Sequence, residues 1–213
     1  MKVNANPKRS IIEQLALAIL TRLEKNLTFS QIDYLKCKLG IETLLIEASK
    51  LIVVYGLAAI MGIPWETFLF HLGYMAIRTF THGAHSESSF YCTIISCVIL
   101  VGSPLVLTMI WLPRLALLGI VIINHLLIIT YAPAATRKNG IWRLSSVRKK
   151  KLRYKAMIAN LVTFLISILV LPVSIGTLLI IGSFIASLMM TPLASHLLKS
   201  ERIDNNEKFN NKN

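Results

Sequence analysis

The sequence predicts an all-α membrane protein with six transmembrane helices preceded by amphipathic N-terminal helices. Of its 213 residues, 54% are hydrophobic, above the roughly 45–50% of soluble domains. Three stretches contain no Lys, Arg, Asp or Glu: 88–113, 115–136 and 156–198. A spanning helix needs about 20 mostly apolar residues. The first two stretches therefore supply one span each, and the third supplies a pair divided by Pro172.

Residues 1–42 are predicted to form cytoplasmic or interfacial helices. Within 10–27, apolar side chains recur at helical spacing; they are Ile11, Ile12, Leu15, Ile19 and Leu23. Ser30 and Asp33 resemble a capping box that opens a second short helix, which Gly40 is expected to end. Both helices are expected either to lie on the membrane surface or to form a soluble cap on the bundle. Charges interrupt the N-terminal region, so no cleavable signal peptide is predicted.

A transmembrane domain is predicted over 43–198, followed by a polar C-terminal tail at 199–213. Its spans are predicted at 43–62, 65–79, 92–111, 113–132 and, as a pair, within 156–191. Glu47 and Lys50 are three residues apart near the entry of the first span, so they can pair on one helix face. Pro64 is expected to end that span.

Charge predicts the orientation. The formal net charge is +13, and segment 137–155 carries nine Lys or Arg and no acidic residue. Basic loops stay in the cytoplasm, which explains the charge without a nucleic-acid partner. The N-terminal region is also basic, so an even number of spans separates the two, and the short segment 65–79 must count. This parity places residues 78–92 and the C-terminal tail in the cytoplasm.

His85 and Cys92 are candidates for a base and a nucleophile. A free thiol has a pKa of about 8.5, and a nearby imidazole can activate it. Seven residues of straight helix would separate the pair by about 10 Å, so the chain must bend. Gly83 and the serine-rich 86–89 favour a loop there. The alternatives are a packing cysteine beside an interface histidine, or a zinc site that adds His82, whose spacing fits structural zinc sites poorly.

The other cysteines carry no catalytic prediction. The chain has three cysteines, an odd number without a disulfide pattern. Cys37 and Cys97 are expected to be structural. Glu87 is expected to be a solvated loop carboxylate, and no third orienting residue is visible beside His85 and Cys92.

The segment "RTFTHGAHSESSFYC" at 78–92 resembles the core motif of the accessory gene regulator B family. These are membrane cysteine endopeptidases that process quorum-sensing peptide precursors in Gram-positive bacteria. The family pattern of Arg, Gly-x-His and a Cys seven residues later falls on Arg78, Gly83, His85 and Cys92. A second match, "YAPAATRKNGI" at 131–141, precedes the basic stretch, and the resemblance covers nearly the whole chain.

The resemblance implies that Cys92 is the nucleophile and His85 its base, while Arg78 and Gly83 support activity or local shape. It implies a transmembrane peptidase domain with catalytic loop 78–92, in a multi-pass protein of the bacterial cell membrane. The substrate would be a precursor peptide with an amphipathic helix and an acidic C-terminal tail. Cleavage through an acyl-enzyme thioester would lead to a thiolactone or lactone. A homodimer is implied, and no cofactor or metal.

The basic loop 137–155 has two open interpretations. It is a plausible electrostatic partner for the acidic tail of the precursor, above all through Arg148, Lys149, Lys150, Lys151 and Arg153. Alternatively, these charges only fix the topology and contact anionic lipid, at about 1 kcal/mol each.

Two other functions stay open. A small transporter or pheromone exporter would use polar groups within spans, such as His71, Asn124 and His125. A non-enzymatic membrane scaffold would leave the spacing of His85 and Cys92 unexplained.

Overall fold

The computed structural model describes residues 11–24, 30–83, 89–135 and 141–198. Over these ranges the chain is helical, and its one β contact is an isolated parallel bridge between His82 and Ala134. The α-helices are α1 Ile11–Glu24, α2 Gln31–Ile60, α3 Pro64–Thr81, α4 Ser89–Cys97, α5 Ser103–Met109, α6 Arg114–Tyr131, α7 Ser146–Leu169, α8 Val173–Leu188 and α9 Pro192–Leu197. The chain divides into two compact units, up to Val54 and from Tyr55.

In the first unit, the predicted start of α2 is confirmed and its predicted end is wrong. The Ser30 hydroxyl accepts a hydrogen bond from the Asp33 backbone N–H at 3.2 Å and donates to the Asp33 carboxylate at 2.7 Å. The helix then continues through Gly40. A glycine inside a helix costs about 1 kcal/mol, whereas ending the helix there would leave carbonyl groups without partners. The predicted Lys50–Glu47 pair forms, at 2.8 Å.

The second unit begins near the end of α2, where a glycine rather than a proline ends the helix. Gly62 has a φ of 74°, a left-handed conformation that suits glycine. The N–H of Ile63 donates to the Ala58 carbonyl at 2.9 Å, as in a Schellman C-cap. Pro64 then occupies the first turn of α3, where its missing N–H costs nothing.

A π-helical segment, Val98–Gly102, joins α4 to α5, and together they form a 20-residue apolar helix, Phe90–Met109. Pro104 lies two residues after the segment ends, so the carbonyl four residues before the proline, that of Leu100, is within the segment. A proline ring clashes with the carbonyl four residues earlier in a regular helix. A wider π turn relieves such a clash, so the proline explains a feature that apolar periodicity does not predict.

Helix α8 packs most closely on α3, and glycines allow the approach. A Cβ on Gly182 would overlap the Phe70 carbonyl oxygen, and one on Gly73 would overlap the backbone of Leu179. Helices in lipid associate mainly through close packing of this kind, because lipid supplies no hydrophobic drive between them. The contact fixes α3, the helix that leads to the candidate site.

Buried polar side chains also join α6, α7 and α8. The Asn124 amide donates to the Asn160 carbonyl oxygen at 2.7 Å and to the Ser183 hydroxyl at 3.1 Å. Asn124 is 0% exposed. His125 lies 3.4 Å from the Asn160 amide nitrogen. These hydrogen bonds join α6, α7 and α8, and we call them the interhelical lock.

Among the described residues, four helices are long and apolar enough to cross a membrane: Gln31–Ile60, Phe90–Met109, Arg114–Tyr131 and Ser146–Leu169. Helix α8 is apolar but shorter, with 16 residues. These helices indicate a membrane protein, and the six-span plan stays a prediction.

Part of the predicted basic loop is helical. Helix α7 begins at Ser146, with the Ser145 hydroxyl accepting from the Arg148 N–H, so residues 146–155 form its first turns and the loop prediction is wrong for them. Lysine and arginine are good helix formers, and the serine cap supplies the start. Charge density predicted the location of these residues relative to the membrane, but it does not distinguish loop from helix.

Candidate functional site

The candidate site begins where α3 ends, at the first half of the sequence motif 78–92. Arg78 lies in the last turn of α3 and is half-buried. Its Nη1 donates to the His82 carbonyl oxygen at 2.7 Å, while the His82 N–H donates to the Arg78 carbonyl at 3.0 Å. The side chain of Arg78 thus stabilises the backbone that leaves the helix, which gives the predicted role in local shape a physical basis.

His82 has an uncommon backbone conformation. Its φ is 55° and its ψ is −142°, a combination that residues with a Cβ rarely adopt and that costs of order 1–3 kcal/mol. Burial and the neighbouring positive charge of Arg78 lower the pKa of the His82 imidazole below its usual 6.5. The neutral form is therefore favoured at neutral pH. Strain of this kind persists only where surrounding contacts enforce it.

Glycine is the one residue type that fits position 83. It is buried and has a φ of 139°, outside the range that side chains favour. A Cβ here would overlap the Arg78 guanidinium and lie 2.9 Å from the Met189 carbonyl oxygen. Arg78 and Gly83 are therefore coupled, since the arginine occupies the space that the missing side chain leaves.

The second sequence motif packs directly on the first. After α6, the backbone of residues 132–134 is held against the end of α3, where the Ala134 N–H donates to the Thr81 carbonyl at 3.0 Å. His82 and Ala134 form the isolated parallel bridge. The Ala132–Pro133 peptide bond is cis. Two motifs separated by about fifty residues in sequence thus form one structural unit, the paired segment 81–83 with 132–134.

Arg153 holds the other side of this paired segment. It lies on α7, is half-buried, and its Nε donates to the Ala132 carbonyl at 2.7 Å. The segment contributes Ala132 and Ala134 to an apolar cluster whose members are all at most 1% exposed. They are Ile77, Ile128, Ala132, Ala134, Ala156, Ala186 and Met190. Apolar packing and the hydrogen bonds of two arginines, Arg78 and Arg153, therefore fix the end of α3.

Cys92, the predicted nucleophile, is the fourth residue of α4 and is a free, half-buried thiol. Its backbone carbonyl accepts from the Ser96 hydroxyl at 2.9 Å. The first turn of a helix presents unpaired N–H groups and the positive end of the helix dipole. Cys92 therefore lies where developing negative charge is stabilised. The predicted catalytic loop 78–92 is shorter than expected, because both its ends are helical.

His85, the predicted base, lies outside the described residues, as do Glu87 and the basic residues Arg137 and Lys138. The pairing of His85 with Cys92 therefore stays a prediction, and so does the zinc alternative that needs His85. Within the described ranges, no group of three His, Cys, Asp or Glu side chains could hold a metal ion.

The five basic residues singled out from the sequence differ in their exposure and in their contacts. Arg148, Lys150 and Lys151 are exposed on α7. Lys149 is half-buried, and Arg153 is engaged with the backbone of Ala132. The exposed three fit either interpretation of the basic segment, whereas Arg153 has a structural contact that charge counting did not indicate.

Sequence reasoning also missed the strain at His82 and the pairing with Ala134. His82 had no predicted role other than in the zinc alternative. The only local signal was the glycine that follows it, since glycine often marks an unusual backbone conformation. The pairing joins residues far apart in sequence, so no periodicity could indicate it.

Comparison with known proteins gives a consistent result. The family model described as Accessory gene regulator B matches residues 16–191. Accessory gene regulator protein B of Staphylococcus carnosus (strain TM300) is 37% identical over 143 residues, 67% of this chain and 74% of that protein. The protein of the same name from Staphylococcus intermedius is 31% identical over 184 residues, 86% of this chain and 94% of that one.

A third relative is an AgrB-like protein of Listeria innocua, 33% identical over 176 residues, which cover 83% of this chain and 85% of that protein. No solved structure matches the chain.

Proposed function

Because this chain belongs to the accessory gene regulator B family, it has a role in the accessory gene regulator quorum-sensing system, and we propose that it is the cysteine endopeptidase that processes the peptide precursor. The observation that carries the proposal is the position of Cys92. It is a free thiol in the first turns of α4, shortly after the strained, arginine-held turn at His82 and Gly83.

The reaction proposed is acyl transfer to sulfur. Cys92 gives its thiol proton to His85, and its sulfur attacks the carbonyl carbon of the scissile amide. The carbon–nitrogen bond breaks, and the C-terminal tail leaves as an amine that takes the proton back from His85. An acyl-enzyme thioester remains on Cys92.

Ring closure is the second proposed step. A thiol or hydroxyl within the bound peptide attacks the thioester carbonyl, the bond to Cys92 breaks, and the sulfur regains a proton. Because one acyl bond is exchanged for another of similar energy when a thiol attacks, no external energy source is needed. Water would hydrolyse the thioester, so a site that excludes water is expected.

The membrane and the basic segment would recruit the substrate. We propose a precursor with an amphipathic helix on the inner leaflet, where confinement raises its local concentration. Its acidic tail would approach the exposed Arg148, Lys150 and Lys151, which also suit anionic lipid. A homodimer is part of the proposal.

The proposed topology has six spans. They are α2, α3, the combined helix Phe90–Met109, α6, α7 and α8. Helix α3 packs on α7 and α8, which fits a span shielded by protein rather than by lipid. This count keeps the N-terminus, residues 78–92 and the C-terminus in the cytoplasm.

Cleavage of a co-expressed precursor tests the proposal. Cys92→Ala is expected to abolish release of the C-terminal tail while the protein still inserts in the membrane. Cys97→Ala is the matched control, since Cys97 is a free, half-buried cysteine of the same helix, and it should cleave normally. Full cleavage by Cys92→Ala would overturn the mechanism.

The exporter alternative rests on polar groups inside spans. Asn124 is fully buried and bonded to two other helices, which favours a locking role over a transport path. A thiol-reactive probe separates the enzyme from a transporter or scaffold. Labelling of Cys92 that depends on His85 is expected for the enzyme, and labelling unchanged by His85→Ala favours the alternatives.

A further inference from the structure

We propose that Arg153 is a positioning residue of the candidate active site: through the Ala132 carbonyl it holds segment 132–134 against the end of α3 and so fixes the turn at His82 and Gly83. The proposal goes beyond the proposed chemistry, and its effect on turnover rests on that proposed function. Its structural part does not, because it concerns only the backbone that Arg153 holds.

The contact is specific to one atom pair. Ala132 caps α6, and its N–H donates to the Ile128 carbonyl at 3.0 Å. Its own carbonyl lies beyond the helix, in a residue that is 1% exposed. A buried carbonyl without a partner is costly. The Nε of Arg153, at 2.7 Å, supplies that partner.

Two further hydrogen bonds connect the contact of Arg153 with Ala132 to the turn at His82 and Gly83. Two residues after Ala132, the Ala134 N–H donates to the Thr81 carbonyl at 3.0 Å. On the other side, Arg78 donates to the His82 carbonyl at 2.7 Å. Two arginine contacts therefore hold the strained His82, one directly through Arg78 and one through Arg153 and segment 132–134. Release of Ala132 would remove one of them.

Arg153 differs in this respect from its basic neighbours. Arg148, Lys150 and Lys151 are exposed, as residues that bind lipid or an acidic peptide would be. Arg153 is half-buried and directed to a backbone oxygen. A long-range electrostatic role would not require that contact, so geometry separates the two functions within one basic run.

The test uses two neutral variants that differ only in the donor. In Arg153→Gln the amide nitrogen is as many bonds from Cα as the Nε of arginine, so a donor is kept. In Arg153→Met the corresponding atom is a methyl group. Lys151→Met is the matched control, since it removes one positive charge from the same run.

Two readouts are needed. One is hydrogen–deuterium exchange of peptides covering 131–135 in the full-length protein in detergent or nanodiscs. The other is the split of kcat and KM for precursor cleavage. Arg153→Met is expected to speed exchange and lower kcat by roughly tenfold or more, the scale of a lost charge-assisted hydrogen bond, with little change in KM. The kcat of Arg153→Gln should stay within about threefold of that of the parent protein. Lys151→Met should leave hydrogen–deuterium exchange unchanged.

The proposal is overturned if Arg153→Gln and Arg153→Met raise KM equally and leave exchange unchanged, because Arg153 would then act through its charge. If Arg153→Met does not fold, Arg153→Lys replaces it, since lysine keeps the charge but has a methylene where arginine has Nε. Faster exchange in the Lys than in the Gln variant supports the proposal, and the reverse order contradicts it. If the parent protein cleaves no precursor, the proposed function fails and exchange alone still decides the role of Arg153.

Discussion

Replacing Gly83 by alanine should disturb both the backbone and a side chain of the candidate site. The φ of 139° at this position favours glycine. An added Cβ would also overlap the Arg78 guanidinium. To make room, Arg78 would have to leave the His82 carbonyl, to which it now donates at 2.7 Å. One methyl group therefore adds backbone strain and removes a hydrogen bond.

The expected loss of stability follows from these two terms. An unfavourable backbone conformation costs of order 1–3 kcal/mol, and a hydrogen bond to a charged group contributes about 1.5–3 kcal/mol. Because Arg78 is only half-buried, water replaces part of the lost bond, so the lower end of the range applies. Together the terms predict that Gly83→Ala lowers the free energy of unfolding by about 3 kcal/mol.

Denaturant unfolding of the purified protein in mild detergent measures this change. Gly119→Ala is the control, because Gly119 lies within α6 and an added Cβ there would meet nothing within 4 Å. Alanine is the better helix former, so the control should gain up to about 1 kcal/mol. Equal stability of Gly83→Ala and the parent protein would refute the reasoning.

A double-mutant cycle isolates the contact between the two side chains. In an Arg78→Ala background the guanidinium is absent, so Gly83→Ala should retain only its backbone cost and its close contact with the Met189 carbonyl oxygen. The two changes are therefore expected to be non-additive by about 1 kcal/mol or more, as for residues in contact. Strictly additive costs would mean that Arg78 does not occupy the space beside Gly83.

Two further predictions concern buried polar groups. Asn124→Ala should lower stability by about 1–2 kcal/mol, because it removes interhelical bonds to Asn160 and Ser183; unfolding in detergent measures this, and an unchanged midpoint contradicts the lock. The pKa of His82 is below 6.5 because of burial and Arg78, so below pH 6.5 the unfolded state binds more protons. The temperature of the unfolding midpoint should therefore decrease as the pH is lowered from 7 to about 5. This decrease should be smaller in the His82→Gln variant. An equal fall in the variant would exclude this contribution.

Local signals explain the parts of the fold that sequence reasoning predicted. The Ser30–Asp33 cap and the Glu47–Lys50 pair involve residues three apart, and both form. The apolar runs predict helices because an unpaired backbone is too costly in lipid. The prediction that Gly40 ends a helix is wrong, because a local helix breaker does not end a helix that continues into an apolar segment.

The candidate site was predictable only in part. The motif indicated Arg78, Gly83 and Cys92, and the structure gives the first two a physical coupling. The Ala132 carbonyl that Arg153 binds, and the pairing of His82 with Ala134, depend on how distant segments pack. Charge composition grouped Arg153 with its neighbours because sequence carries no information on which basic side chain turns inward.

Intact-mass analysis of the protein after brief incubation with its precursor tests the proposed mechanism most directly. An acyl-enzyme on Cys92 predicts an added mass equal to the precursor without its C-terminal tail, localised by peptide mapping to Cys92 and removed by hydroxylamine. The adduct should be absent from Cys92→Ala and retained in Cys97→Ala. Tail release by the Cys92→Ala variant, or an adduct mapped to another residue, would contradict catalysis by Cys92.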